Sequence, residues 1–233
     1  MLLKRMAGII PKPSVVSGTD SVWLRFLYGH PESIEESVIK TIASHKAICS
    51  YYDIPIQHAS SAVLKRMGRD YTSDDLLRLY DRIKSLDPES SLRTTVIVGF
   101  PGETDKDFEE LIDFVETVRF DHLGVFVYSD FEDLPSHNLP DPVSETTSKE
   151  RYERLMSTQA EISLEKNRKH MGKVYLVLVE EHPEEGVFIG RTAFQAPEVD
   201  GITFIKSSSM KIGHFAEIKI EDTLEYDLMG VPA

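Results

Sequence analysis

The stretch Leu92-Arg-Thr-Thr-Val-Ile-Val-Gly99-Phe-Pro-Gly102-Glu-Thr104 decides how this chain is read. It opens as a β-branched, apolar run, the pattern of a buried parallel strand. Gly99, Pro101 and Gly102 then break it with a tight turn. Thr104 follows as a helix N-cap, and Asp105 and Asp107 fall in the first turn, where the helix dipole favours acids. Phe108, Leu111, Ile112 and Val115 then recur at helical spacing. The unit is strand–turn–helix. Bare backbone at the carboxyl end of a parallel strand lets a ligand approach closely; a purely structural turn fits the residues equally well.

Similar units lie on either side. Val22 to Leu27 reads as a strand ended by Tyr28-Gly-His-Pro31, then a helix capped by Ser33 with Ile34, Val38 and Ile42 on one side. Ile48 to Ile56 reads as a strand closed by Gln57 to Ser61, then a helix carrying Val63, Leu64 and Met67. A further helix, capped by Thr72 or Ser73, shows the stripe Leu76, Leu77, Tyr80, Ile83, and His122 to Tyr128 is the last strand. Four strands alternating with helices predict an α/β fold with parallel strands and right-handed crossovers. The turns at Tyr28–Pro31, Gln57–Ser61, Gly99–Glu103 and Tyr128–Asp130 should then share the face where such folds bind ligands.

The ends differ from this pattern. Leu2 to Ile10 is a short helical segment, and Pro11 to Asp20 a loop. Asp130 to Ser148 is a polar surface connection, and Glu150 to His170 a long helix with Leu155, Gln159 and Ile162 on one side, a strut between two domains. From Lys173 come short strands near 174–179, 187–192, 202–205, 216–221 and 226–229, the spacing of a small antiparallel, OB-like barrel. A barrel that small is marginal alone and should lean on the strut. The expected division is 1–148, 149–171 and 172–233.

The composition, 41% hydrophobic and 28% charged over 233 residues, is that of an ordinary globular protein. No apolar run reaches the roughly 18 residues that span a bilayer, and the start lacks a secretory pattern, so no membrane role and a cytoplasmic location are expected. The net charge of −13 disfavours broad nucleic-acid binding and suits a basic partner. The single cysteine, Cys49, excludes an intrachain disulfide and any cysteine-rich metal site, and the eight histidines show no ligand spacing.

Arg93 to Thr104 resembles the fifth strand and turn of radical S-adenosylmethionine enzymes, and more narrowly of the methylthiotransferases. Leu24-Arg-Phe-Leu-Tyr28 with Pro31 is similar to the family's third strand, Asp53-Ile-Pro-Ile-Gln57-His-Ala-Ser60 to its fourth, and Gly124 to Ser129 to its sixth. The terminal segment resembles a TRAM domain through Gly190-Arg-Thr192, Ala196-Pro-Glu-Val-Asp-Gly201 and Glu225-Tyr-Asp-Leu-Met-Gly230. The last two motifs point to the branch that modifies an aspartate of a small-subunit ribosomal protein. From Lys173 onward five Lys or Arg stand against eleven Asp or Glu, which agrees with a basic protein partner better than with RNA. A tRNA methylthiotransferase fragment, or a non-catalytic module binding RNA or a ribosomal protein, is the alternative.

The resemblance implies a partial radical-SAM (β/α) barrel of four parallel units followed by a TRAM barrel. It implies S-adenosylmethionine near Gln57, Ser60, Arg93, Val98, Gly99, Gly102 and Tyr128. Several have a plainer reading too: the turn itself for Gly99 and Gly102, a helix cap for Ser60, a buried ion pair for Arg93, packing for Tyr128. The family holds [4Fe–4S] clusters on cysteines that this chain lacks, so the expectation is a C-terminal piece, inactive and cofactor-free by itself. Glu132-Asp-Leu-Pro135 replaces the family's Glu-Gly-Thr, so that loop is expected to be rebuilt. Val22 to Leu27 should be left as an open sheet edge, available for self-association or covered by Leu2 to Ile10.

Overall fold

A computed structural model describes residues 2–9 and 22–233. Strands β1 (Leu24–Phe26), β2 (Ile48–Asp53), β3 (Ser91–Val98) and β4 (His122–Val127) lie side by side in chain order, all parallel. Helices α2 (Glu36–Ser44), α3 (Ser61–Arg66), α4 (Ser73–Leu86) and α5 (Asp105–Val118) form the crossovers. Thr72 and Thr104 cap α4 and α5, each in a reciprocal capping box with Asp75 or Asp107. Along β3, Leu92, Thr94, Val96 and Val98 are buried, while Arg93, Thr95 and Ile97 are only half-buried. Helices therefore cover one face of the sheet, and its concave face is partly open, because four strands cannot close a barrel.

Ser33 does not cap a helix. It ends a 3₁₀ turn, Pro31–Ser33, whose first position suits the fixed φ of proline, and α2 starts after Glu35. Helix α6 begins at Glu145 rather than Glu150, because Ser144 accepts a hydrogen bond from the Thr147 N–H at 3.1 Å. It runs to Arg168 and joins both halves of the molecule. Leu155 and Ile162 enter the main core, Gln159 donates to the Phe120 carbonyl at 2.9 Å, and Asn167 donates to the carbonyls of Leu224 and Glu225.

Strands β5 (Val174–Glu184), β6 (Val187–Thr192), β7 (Thr203–Lys206), β8 (Phe215–Thr223) and β9 (Leu228–Pro232) close into a barrel in the order β5-β6-β7-β9-β8. The pattern predicted an antiparallel barrel, yet β7 and β9 are parallel. Five strands in a ring cannot alternate direction throughout, so one parallel pair is forced. Val177, Phe188, Ile205, Ile218 and Leu228 fill the barrel.

Helix α1 (Leu2–Ala7) lies beside α2, and Leu3 packs on the main core. Among the described residues β1 has no strand on its outer side. The expected loop Pro11–Asp20, and Ile10, lie outside the described residues.

Candidate functional site

The parallel register brings the strand ends together. Gln57 bridges to Val96: its N–H donates to the Thr95 carbonyl at 3.0 Å, and its carbonyl accepts from the Ile97 N–H at 2.8 Å. The Tyr128 N–H donates to the Val98 carbonyl at 2.9 Å. Gln57, Val98, Gly99 and Tyr128 thus stand on one rim. Gln57 and Tyr28 both adopt positive φ, 66° and 57°. Left-handed backbone at residues other than glycine carries strain and tends to mark functional rims.

The rim frames a cavity of about 390 Å³ lined by Gln57, Arg66, Arg69, Ile97, Phe100 and Tyr128. Phe100 and Tyr128 meet edge to face at 5.2 Å, and the Tyr128 hydroxyl donates to Ser136 at 2.9 Å. The lining is apolar and aromatic with a few convergent polar groups, the usual make-up of a small-molecule site.

The glycine turn is locked from within. Glu103, almost fully buried, accepts hydrogen bonds from the N–H groups of Gly99 and Phe100, and its other oxygen lies 3.3 Å from Arg151 on α6. The Gly102 N–H donates to the Asp141 carbonyl at 2.7 Å. Gly99 and Gly102 both have φ of +79°, and the space a side chain would take is filled by Ser148 at Gly99 and by the Arg66 guanidinium at Gly102. Both glycines therefore let helices α6 and α3 approach the turn. Ser60 is buried, and its hydroxyl donates to Asp107 at 2.5 Å, tying α3 to α5 rather than capping α3. Burial opposes the charge on Asp107, yet hydrogen bonds from Ser60 and Thr104 hold its carboxyl below the ordinary value.

Arg93 does not join this group. It sits at the start of β3, about 20 Å along the strand from Gly99. Its guanidinium donates to Asp53 at 2.9 Å and lies 3.4 Å from Asp200. Burial works against its charge, but the bonded Asp53 carboxylate, with Tyr51 and Asp200, holds the pKa above its ordinary value.

Asp200 belongs to the terminal barrel, and its side chain is fully buried. It accepts from the Tyr51 hydroxyl at 2.6 Å and from the Ala196 N–H at 2.8 Å, and lies 3.6 Å from His122. Arg25 donates to the carbonyls of Ala193 and Gln195, and Trp23 meets Phe215 at 4.7 Å. The segment 193–201 thus plugs the lower half of the concave face, and the motif Ala196–Gly201 is the plug. Cys49 is buried in this junction beside Tyr51 and Ala196, and burial pushes its thiol up, away from the thiolate that binds metal. Among the described residues no group of three His, Cys, Asp or Glu side chains could hold a metal ion. The residues present do not fit an iron–sulfur cluster.

Sequence reasoning passed over Arg66, Arg69, Glu103 and Asp200. Two arginines flanking Gly68 in a strongly acidic chain were the available signal for the first two. Asp200 lies in the motif Ala196–Gly201, but its role was not legible there, since Tyr51, Arg93 and His122 come from β2, β3 and β4.

A half barrel of parallel βα units, with its rim cavity and a closed five-stranded barrel docked beneath, defines a radical-SAM-type domain joined to a TRAM-type domain. Comparison agrees: residues 17–115 match the Radical SAM superfamily and residues 171–232 the TRAM domain. The chain is 48% identical over 97% of its length to "Ribosomal protein uS12 methylthiotransferase RimO" of Clostridioides difficile, covering 51% of that protein. It is also 48% identical over 90% of its length to the protein of that name from Desulfosudis oleivorans, covering 48% of it. The chain thus matches the Radical SAM and TRAM domains, is similar to the ribosomal-protein methylthiotransferases, and spans about half the length of the curated relatives it matches. Among solved structures, the radical SAM enzyme coproporphyrinogen III oxidase of Escherichia coli aligns with a TM-score of 0.52 at 16% identity, over 62% of this chain and 33% of that one, which supports the fold.

Proposed function

We propose that this chain is the half-barrel and TRAM portion of a methylthiotransferase that modifies ribosomal protein uS12. The observation that carries the reading is the 48% identity running through 97% of the chain, across both domains. The strand-end cavity is where S-adenosylmethionine would sit, with Gln57, Ile97, Phe100 and Tyr128 as walls, Val98 and Gly99 at its edge, and Gly102 and Ser60 holding the helices behind it. In the whole enzyme that cofactor would supply the radical and the methyl group. Residues of this chain would bind and orient its adenosine and keep water from it. Arg93 would act at a distance, by keeping the plug in place. The iron–sulfur clusters are left to the other half of the enzyme, and the isolated chain is expected to be inactive.

The acidic terminal barrel favours a basic protein over RNA as its partner. The division at 1–148, 149–171 and 172–233 and a cytoplasmic location belong to this reading, as does self-association along β1. No helix among the described residues is long and apolar enough to cross a membrane. The test pairs the chain with uS12 and with tRNA in a pull-down. Retention of uS12 alone supports the reading, whereas preference for tRNA moves the chain to the tRNA-modifying branch. A brown chromophore on iron–sulfur reconstitution of this chain alone would contradict the assignment of the clusters elsewhere.

A further inference from the structure

We propose that His58 is a positioning residue for the rim: when a nucleoside enters the strand-end cavity, the His58 Nε2–H and Glu103 form a hydrogen bond that sets the glycine turn. The proposal rests on the reading of that cavity as a ligand site. The side chains of His58 and Glu103 are both fully buried. The Ser60 N–H donates to His58 Nδ1 at 2.9 Å, so the neutral ring carries its proton on Nε2. That N–H has no acceptor, and Glu103 Oε1, 3.9 Å away, has no hydrogen-bond donor; Arg151 stands 3.3 Å from it without bonding it. A buried donor and a buried acceptor thus face each other just beyond bonding distance, in surroundings where such groups are nearly always paired.

Each partner is tied to a different side of the rim. His58 follows Gln57, whose φ is 66°, and the His58 N–H donates to the Ile56 carbonyl at 2.8 Å; this tight three-residue turn fixes where the ring starts. Glu103 Oε2 accepts from the Gly99 and Phe100 N–H groups, and Phe100 is a wall of the cavity. Gly99 and Gly102, both at φ of +79°, give the turn backbone freedom that other residues lack. A shift of about 1 Å by the Glu103 carboxylate brings Oε1 within hydrogen-bond reach of Nε2 and carries Phe100 with it. A ligand that packs better on the shifted Phe100 favours the closed bond. Arg151 already offsets the Glu103 charge, so the empty chain holds its turn without His58.

Two variants separate this role from a purely structural one. Asparagine places an oxygen where Nδ1 stands and keeps the Ser60 bond. Glutamine places an amide N–H where Nε2 stands and keeps the reach to Glu103. The probes are adenosine and S-adenosylhomocysteine, titrated into the whole chain and followed by ¹H–¹⁵N NMR. The Val98 and Gly99 amides report on the cavity, and the His58 ring nitrogens on the bond. The expected result is a single ring proton, on Nε2, in the free chain, and a downfield shift of that proton when either probe binds. His58→Asn should weaken adenosine binding about tenfold while the urea midpoint of the free chain stays within about 0.3 M of the unsubstituted one. His58→Gln should bind adenosine within about threefold of the unsubstituted chain. The reverse order of the two variants assigns His58 to the Ser60 bond and overturns the proposal. A ring proton on Nδ1, or an Nε2 proton already shifted downfield in the free chain, overturns it too. Probe binding with an unmoved His58 signal rejects the positioning role and leaves the cavity reading standing. No response of the Val98 and Gly99 amides to either probe rejects the cavity reading, and the proposal with it.

Discussion

Replacing Asp200 by alanine should uncouple the two domains. The carboxylate is fully buried, bonded to Tyr51 and Ala196, and it faces Arg93 and His122. Alanine would orphan a buried hydroxyl and a buried N–H, and would leave Arg93 with only Asp53 as a charge partner. Removing one partner of a buried ion pair costs about 3–5 kcal/mol. With a urea m-value of about 2–3 kcal/mol/M, the midpoint should fall by about 1–2.5 M. Trp23, the single tryptophan, meets Phe215 across the junction and makes fluorescence a local probe. In Asp200→Ala its emission should shift to the red at lower urea than the loss of far-ultraviolet circular dichroism. Asp200→Asn keeps an acceptor for Tyr51 and should lose less. A midpoint within about 0.3 M of the parent, with both probes still coincident, would refute the plug as the element that holds the domains together.

Two further outcomes follow from local structure. Thr104→Ala breaks the capping box of α5 and should lower stability by about 1 kcal/mol in urea titrations, with no change in Trp23 emission of the folded chain. His170 bonds Tyr175 at 2.7 Å and stacks on Phe194, and burial, helped by Lys173, lowers its pKa to about 4 from 6.5. The unfolded chain binds this proton first, so its contribution to stability is complete above pH 6.5 and is lost as pH falls toward 4. Because the ring keeps some solvent contact, the loss should be about 2 kcal/mol or less. His170→Gln should flatten the decline in urea midpoint over that window; an unchanged slope would exclude His170 as its source.

The strand–turn–helix at Leu92 to Thr104 was legible because its causes are local: apolar period, turn glycines and a cap within thirteen residues. The same locality made Thr104 and the stripe Phe108, Leu111, Ile112 and Val115 readable, and all four apolar residues are buried. Parallel topology followed from alternation, and with it the shared rim of Gln57, Gly99 and Tyr128. The sequence could not say which side of each glycine was free, and the answer is that Arg66 and Ser148 occupy both. It left Arg93 open between a ligand contact and a buried ion pair, because a motif's letters do not say which end of the strand a side chain serves; the structure shows the ion pairs, to Asp53 and Asp200. In a parallel strand, six residues span the sheet from one end to the other, and Arg93 lies at the plug. The motif Ala196–Gly201 was recognisable as letters, but its role as a plug is decided by Tyr51, Arg93 and His122, brought to one point from three strands. Short-range chemistry writes elements and caps into the chain, whereas the partners of a buried charge exist only once distant segments have met.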